Sequence, residues 1–503
     1  MCDLNNMRQV LEMLENQMAG RRLFRYIVDG QLIDVSTEEF FCAVKKHACV
    51  LKNRKLCGKH IGIMGQNSYE WLVNFCAIFW SGSVAVLLNW QSDAGTVEEL
   101  AERVNIDAIL YDVSTKDVVF SAILPEHVTT VSMQEIFAEN EKYEKTDMHV
   151  MQNPEDLACI FFTSGTTDRS KAVMMSSRAL VASVCSNVND KSFHSLLAVL
   201  PFHHMSGFVM ILNAIYLGAE ICLAGNLKYF YRYLKDMKPD YVPVVPSMLP
   251  VLARKLKKGG IHGERLGWNL RMLHCGGAAF LPEFLQIFLQ HDIIVLQGYG
   301  ASEAGGIGFM WEMTPDRPDT IGKPPAQMQV KIVDGELYLR SESLMMGYYG
   351  DEEGTAQVIH DGWYATGDLC REDEEGYLYL TGRKKNLIIL SNGENVSPEE
   401  IETKLYCCEE IREVMVGVEN DMLMAAVYPE YSVQGSEGSK QAIRKKIEQA
   451  IEQYNCKTPM YKQIRKIRFM EEPFAKTAVG KLIRKSVTGG TEHDNAGCEE
   501  KNY

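Results

Sequence analysis

The chain has 503 residues, with 66 acidic against 52 basic side chains and a formal charge of −14. That length exceeds one compact core and predicts two or more domains. The acidic balance excludes a general nucleic-acid binder, which needs a basic face to neutralise phosphates, but leaves room for a local nucleotide pocket. Hydrophobic residues at 46% and charged residues at 23% suit a soluble globular enzyme. The 14 cysteines include no C-x-x-C pair, and the adjacent Cys407 and Cys408 are weak evidence for metal or redox chemistry. The N-terminus, Met1-Cys2-Asp3-Leu4, has no basic region followed by an apolar run, so reduced thiols and a cytoplasmic location are expected.

In chain order, residues 23–35 place Asp29-Gly30 between apolar runs, a hairpin signal. Ser36 and Glu39 then form a capping box for a helix. The apolar stretch from Trp71 to Trp90 has nearly the length of a membrane span. Asn74, Ser81, Gly82 and Ser83 interrupt it, which favours a buried helix followed by a buried strand. Strand-like runs at Ile61–Met64, Ala85–Leu88, Ala108–Tyr111, Ala158–Phe162 and Leu196–Leu200 alternate with helical patterns, predicting parallel α/β layers. After about residue 320 the pattern changes. Asp334-Gly335 and Glu375-Gly376 mark two more hairpins, and an antiparallel or barrel-like region is expected there. Beyond Arg383 a compact α+β module is expected: a helix after Pro398, strands near Val414–Val418 and Met422–Val427, and a helix over 440–454. Residues 486–503 are polar and read as a flexible tail.

Five motifs carry chemistry. In the first, Phe162-Thr163-Ser164-Gly165-Thr166-Thr167-Asp168-Arg169-Ser170-Lys171, a strand enters a hydroxyl-rich turn that ends on Lys. Hydroxyls and backbone N–H groups in such a turn can cradle phosphate oxygens. It is not a Walker A loop, because Ser170 replaces the required Gly, and a polar surface turn is the competing reading. The second, Leu200-Pro201-Phe202-His203-His204-Met205-Ser206-Gly207, sets two histidines after a strand, suited to lining a pocket or to a structural role. The third is Gln297-Gly298-Tyr299-Gly300-Ala301-Ser302-Glu303, with Gly276-Gly277-Ala278-Ala279 upstream. Its glycines admit a planar ligand, Tyr299 offers a stacking face, Ser302 can bond a phosphate, and Glu303 is a hard oxygen ligand for Mg²⁺. Loop glycines explain the same residues more plainly. The fourth is Gly362–Leu369 with Thr381–Ile388, where Asp368 can accept from both ribose hydroxyls with help from Arg383; a turn Asp is the alternative. The fifth is Lys476-Thr477-Ala478-Val479-Gly480-Lys481, a Lys on a Gly turn that could reach a distant site or simply be solvated.

Together and in this order, the motifs resemble the adenylate-forming superfamily over roughly residues 20–485: acyl-CoA synthetases, adenylation domains of peptide synthetases and firefly luciferase. The resemblance implies an α/β fold with a large N-terminal domain (1–384) of two α/β sheet subdomains plus a β-barrel-like region. A small, mobile C-terminal α+β domain (385–485) and a tail (486–503) follow. It implies that Thr163, Ser164, Gly165, Thr166, Thr167 and Lys171 handle the ATP phosphates, and that Gly276, Gly277, Ala278, Gly298 and Tyr299 flank adenine. Ser302 would touch the α-phosphate, Glu303 would bind Mg²⁺, and Asp368 and Arg383 would hold the ribose. Lys385 matches the hinge, His204 the gate beside the acyl pocket, and Lys481 the Lys that bridges the carboxylate and α-phosphate oxygens.

The implied activity is AMP-forming ligation of a small-molecule carboxylic acid, using ATP and Mg²⁺, with CoA as acceptor. A stand-alone enzyme loading an acyl carrier protein in trans is an alternative, since no carrier domain follows Lys481. A non-catalytic nucleotide-binding relative is another, because Asp168, Ser170 and Ala172 stand where the family usually has Gly, Pro and Gly. Phe202–Gly207 lacks the Asp with which amino-acid-activating members pair an ammonium group, so a plain acyl or aryl acid is expected. No nucleic-acid partner and no integral membrane segment are expected.

Overall fold

The computed structural model describes residues 4–140, 142–143, 152–163, 170–186, 192–245, 248–259, 268–276, 282–306, 308–317, 319–391, 394–406, 408–431, 437–475, 482, 484 and 499–502. The chain folds as mixed α/β, with a large N-terminal domain and a small C-terminal α+β domain.

A seven-stranded sheet builds the first α/β layer. Its parallel centre pairs His60–Met64 with Val84–Leu88 on one side and Ala108–Tyr111 on the other. Val84–Leu88 in turn neighbours Leu157–Thr163. These strands read as unbroken apolar runs because both faces are covered. The stretch of membrane-like length resolves into the buried helix Tyr69–Trp80 and the strand Val84–Leu88, with a turn at Gly82 (φ 71°) between them. Among the described residues no helix is long and apolar enough to cross a membrane.

An eight-stranded sheet forms the second layer, in the order Phe309–Glu312, Ile294–Tyr299, Met272–Gly276, Tyr241–Val244, Ser195–Ala198, Glu220–Leu223, Arg22–Val28, Gln31–Ser36. Its last two strands are the predicted hairpin, turned by Asp29 (φ 48°) and Gly30 (φ 83°). Positive φ at both central residues matches the right-handed twist of the flanking strands. The capping box forms as expected: Ser36 Oγ accepts from Glu39 N, and Glu39 Oε2 accepts from Ser36 N at 2.8 Å. The largest core cluster takes Phe161 and Val173 from the first sheet, Leu196 and Leu296 from the second, and Phe208 from the helix Met205–Tyr216. The four strands Ser195–Ala198, Tyr241–Val244, Met272–Gly276 and Ile294–Tyr299 run parallel, so their carboxyl ends open on one edge. Ligands of open α/β sheets bind at such edges.

The region expected to be barrel-like is a five-stranded antiparallel sheet among the described residues. Gln329–Val333 pairs with Glu336–Arg340, which pairs with the long strand Trp363–Glu372, and Leu378–Arg383 pairs with the other end of that long strand. The C-terminal module contains the helix Pro398–Leu405, capped by Ser397, and the antiparallel strands Ile411–Glu419 and Met422–Pro429. The helix Glu437–Cys456 and the strand Ile464–Phe469 follow. Within the segment expected to fray, Glu499–Asn502 pairs with Ile464–Phe469 as an edge strand. Backbone pairing is available there whatever the polarity of the side chains.

Candidate active site

Two strands of the antiparallel sheet set one corner of the candidate site. Asp368 and Arg383 face each other across the ladder. Arg383 Nε lies 2.6 Å from Asp368 Oδ1, and the Tyr299 hydroxyl donates to Asp368 Oδ2 at 2.7 Å. Asp368 is buried, so these charge-assisted bonds operate in a low dielectric. Burial first, then the Asp368 charge, pushes the Tyr299 phenol well above its usual range, which keeps it a donor. Gly367 (φ 70°) precedes Asp368 within the strand Trp363–Glu372, and its N–H donates to Glu336 Oε1 at 3.0 Å.

The loop after Ile294–Tyr299 supplies the next group. Ser302–Ala304 is one short 3-10 turn ended by Gly305 (φ 88°). A Cβ on Gly305 would meet Ser183 Oγ at 2.5 Å, so only glycine fits. This turn presents the Glu303 carboxylate, whose Oε1 accepts from the Tyr348 hydroxyl at 3.1 Å. The Lys171 ammonium sits over the Tyr348 ring, 4.3 Å from its centroid. Lys171 is placed by the ladder in which it pairs with Thr163. Tyr348 therefore ties the end of the first sheet to Glu303. Tyr348 and Glu336 carry no motif signal, because each is recruited by strand pairing with a distant segment.

Lys385 completes the charge cluster. Burial, more than the neighbouring Arg383, lowers its pKa, and Asp368, Lys171 and Glu303 all act on it electrostatically. The structure thus gathers Thr163, Lys171, Tyr299, Glu303, Asp368, Arg383 and Lys385. Gly298 lies beside Gly276 in parallel register, where the two strands end. Ser164, Gly165, Thr166, Thr167, Asp168, Gly277, Ala278 and Lys481 lie outside the described residues. Arg484, three residues after Lys481, makes a fork to Glu402 (2.8 and 2.5 Å) and a contact with Glu399 (3.3 Å). Leu482 packs on the Met415, Ala426 and Phe474 cluster.

His204 is the N-cap residue of Met205–Tyr216, and its ring centroid is 4.3 Å from that of the buried His203. A Cβ on Gly207 would come 2.1 Å from Pro201 O, so the His-His turn depends on this glycine. Burial lowers His203 to about 3, and lowers His47 and His274 to about 4. The unfolded chain takes up these protons as pH falls through about 6.5, whereas the folded chain resists until about 4. Folding stability is therefore expected to drop between pH 7 and 5, by about 1–2 kcal/mol per histidine. Urea midpoints across that range would check it; a flat or rising profile would contradict the assignment.

Comparison with known families decides membership. The model described as AMP-binding enzyme matches residues 14–349, and that described as AMP-binding enzyme C-terminal domain matches residues 385–490. This chain belongs to the AMP-binding enzyme family. Among similar family members, 2-succinylbenzoate–CoA ligase of Listeria innocua is 28% identical, over 89% of this chain and 92% of its own. Fatty acyl-CoA synthetase B of Dictyostelium discoideum is 27% identical, over 73% of this chain and 68% of its own. O-succinylbenzoate coenzyme A synthetase of Bacillus subtilis, solved with AMP, shares the fold with a TM-score of 0.80. It is 22% identical, covering 96% of this chain and 98% of that one.

The metal expected in this AMP-binding enzyme is Mg²⁺. Glu303 offers one half-buried carboxylate, with one oxygen bonded to Tyr348. A single carboxylate completed by substrate phosphates is the donor set Mg²⁺ favours, so the residues fit.

Proposed function

We propose that this chain is an AMP-forming acid–thiol ligase, which activates an acyl or aryl carboxylic acid with ATP and passes the acyl group to CoA. The observation that carries this reading is the gathering of Lys171 and Glu303 beside the Tyr299–Asp368–Arg383 corner. A nucleotide has phosphates at one end and a ribose at the other, and this corner and charge cluster offer a partner for each.

In this reading Asp368 accepts from the ribose hydroxyls while Arg383 and Tyr299 hold its carboxylate in place. Gly276–Ala278 and Gly298–Tyr299 let adenine approach the backbone. Ser302 donates to the α-phosphate, and Lys171 with the 163–167 hydroxyls binds the outer phosphates. Glu303 would hold Mg²⁺, which when bound neutralises phosphate charge. The acid's carboxylate attacks the α-phosphorus; the new O–P bond forms as the bond to pyrophosphate breaks. Lys481 donates to the oxygens that gain charge there, an electrostatic contribution. A thiolate then attacks the acyl carbon and AMP leaves. We assign Lys385 as the hinge about which residues 385–485 turn between the two steps, and His204 as the gate beside the acyl site. The absence of a carboxylate in Phe202–Gly207 favours acids without an α-ammonium group.

The test is pyrophosphate release from ATP and Mg²⁺ across a panel of fatty, aryl and amino acids, with and without CoA. Release with one acid class and matching CoA consumption is the expected result. Release without CoA consumption would redirect the second step to a carrier protein. ATP binding with no release from any acid would overturn the ligase reading and implicate Asp168 and Ser170.

A further inference from the structure

The segment from Ser343 to Tyr348 runs between the strand that begins at Lys171 and the turn that carries Glu303, and it bonds to both. On one side Gly347 and Tyr348 pair with Met174 and Val173 of the strand Lys171–Ser176, and Tyr349 N donates to Ala172 O at 2.8 Å. On the other side Met345 N donates to Glu303 O at 2.9 Å, and Ser343 Oγ donates to Ala304 O at 3.0 Å. Thr355 Oγ1 accepts from Tyr348 N at 2.9 Å. These bonds hold the backbone at Lys171 and at Glu303 in a fixed relation, independent of the Tyr348 side chain.

Lys171 and Glu303 carry opposite charges and are both half-buried. Both act electrostatically on Lys385, so they share one neighbourhood. An ammonium and a carboxylate so placed attract more strongly than in water, because the local dielectric is lower. Among the described residues, neither nevertheless forms an ion pair. Each ends on Tyr348 instead. The ammonium lies over the ring face, where the quadrupole attracts a cation, and the carboxylate accepts from the hydroxyl. Burial, then the Glu303 charge, pushes the Tyr348 phenol well above its usual range, so the hydroxyl stays a donor. Tyr348 is buried, which leaves its ring little freedom to swing aside.

A direct pair between Lys171 and Glu303 would neutralise both groups, and it would have to break before either could meet a ligand. A cation over a ring is held more weakly than a cation in a charge-assisted bond to phosphate, so the Tyr348 contact yields to phosphate where an ion pair would resist. We propose that Tyr348 is a positioning residue whose ring keeps Lys171 and Glu303 apart, leaving the lysine available to phosphate oxygens and the carboxylate to a cation. This inference rests on the ligase reading for what the two groups bind.

The experiment is a double-mutant cycle between Tyr348 and Glu303, read as ATP affinity by calorimetry, in EDTA and again with Mg²⁺. Tyr348→Leu removes ring and hydroxyl together and is expected to weaken ATP binding about tenfold, because Lys171 can then close on Glu303. The same substitution in a Glu303→Gln background should change affinity by less than about twofold, because no carboxylate remains to capture the lysine. Tyr348→Phe keeps the ring face and should stay within about twofold of the unmodified chain. Tyr348 also packs in the largest core cluster, so a thermal melt accompanies each variant. Tyr348→Met, which fills a similar volume without a ring, replaces the Leu variant if that one does not fold. Unchanged ATP affinity in a folded variant without the ring would overturn the proposal. So would an equal loss in the presence and absence of the Glu303 carboxylate, which would mean that Tyr348 only packs, or a loss in Tyr348→Phe as large as in Tyr348→Leu. If ATP binding follows the cycle but no acid supports pyrophosphate release, the ligase reading alone fails; if the unmodified chain binds no ATP, both fail.

Discussion

Lys481→Ala is expected to lower the rate of acyl-adenylate formation by about 10²–10³-fold, the usual cost of removing a donor aimed at developing charge. Thioester formation from preformed acyl-adenylate and CoA should stay within about twofold, because the α-phosphate is then part of the leaving group and no charge builds in an attack on phosphorus. The split between half-reactions is the informative quantity. Arg484 and Leu482 tie the segment just beyond Lys481 to Glu402, Glu399 and the Met415 cluster. The substitution should therefore leave the C-terminal module folded, and a thermal melt checks that. Equal loss in both half-reactions would show that Lys481 does not have the role assigned to it.

Asp368→Ala carries the second large effect. It removes the carboxylate that Arg383 and the Tyr299 hydroxyl both address, and leaves a buried phenol without its acceptor. Loss of the ribose contact together with misdirection of Arg383 should raise the KM for ATP by about 10²-fold, with some loss of stability from the unpaired Tyr299. Asp368→Asn keeps the shape and an acceptor oxygen but not the charge, so its penalty should be smaller and confined to nucleotide affinity. Titrating ATP binding by calorimetry for both variants separates the two outcomes. Unchanged ATP affinity in a folded Asp368→Ala variant would remove the ribose assignment.

The hairpins at Asp29-Gly30 and Asp334-Gly335 are readable from sequence because two positive φ angles in a row strongly restrict residue type. The Ser36–Glu39 capping box is readable for a similar reason: its hydrogen bonds join residues three apart. The apolar strands Val84–Leu88 and Ala108–Tyr111 stand out because parallel strands are buried on both faces. The antiparallel region around Trp363–Glu372 is legible as strands and turns, but its five-stranded arrangement depends on partners up to tens of residues away.

At the candidate site, Asp368, Arg383, Glu303 and Lys171 stand in local patterns that a reader of the chain can single out. Tyr348 and Glu336 do not, since each reaches the cluster only through a ladder formed with a distant segment. His274 is the sharpest case. Nothing around it in the chain separates it from an ordinary core histidine, and only the structure shows that its Nε2 occupies the space a Cβ on Gly298 would need.

By itself, then, the chain determined what short-range physics can encode: the α/β alternation, the turn chemistry, the helix caps, and the order of motifs that marks an AMP-binding enzyme. The tertiary structure alone decided which of those motif residues share one electrostatic neighbourhood, that Tyr348 joins Lys171 to Glu303, and that a neutral imidazole is buried at the strand ends. Such facts depend on through-space contacts between segments many residues apart. The folding of the whole core determines those contacts, and no local pattern of residue types carries them.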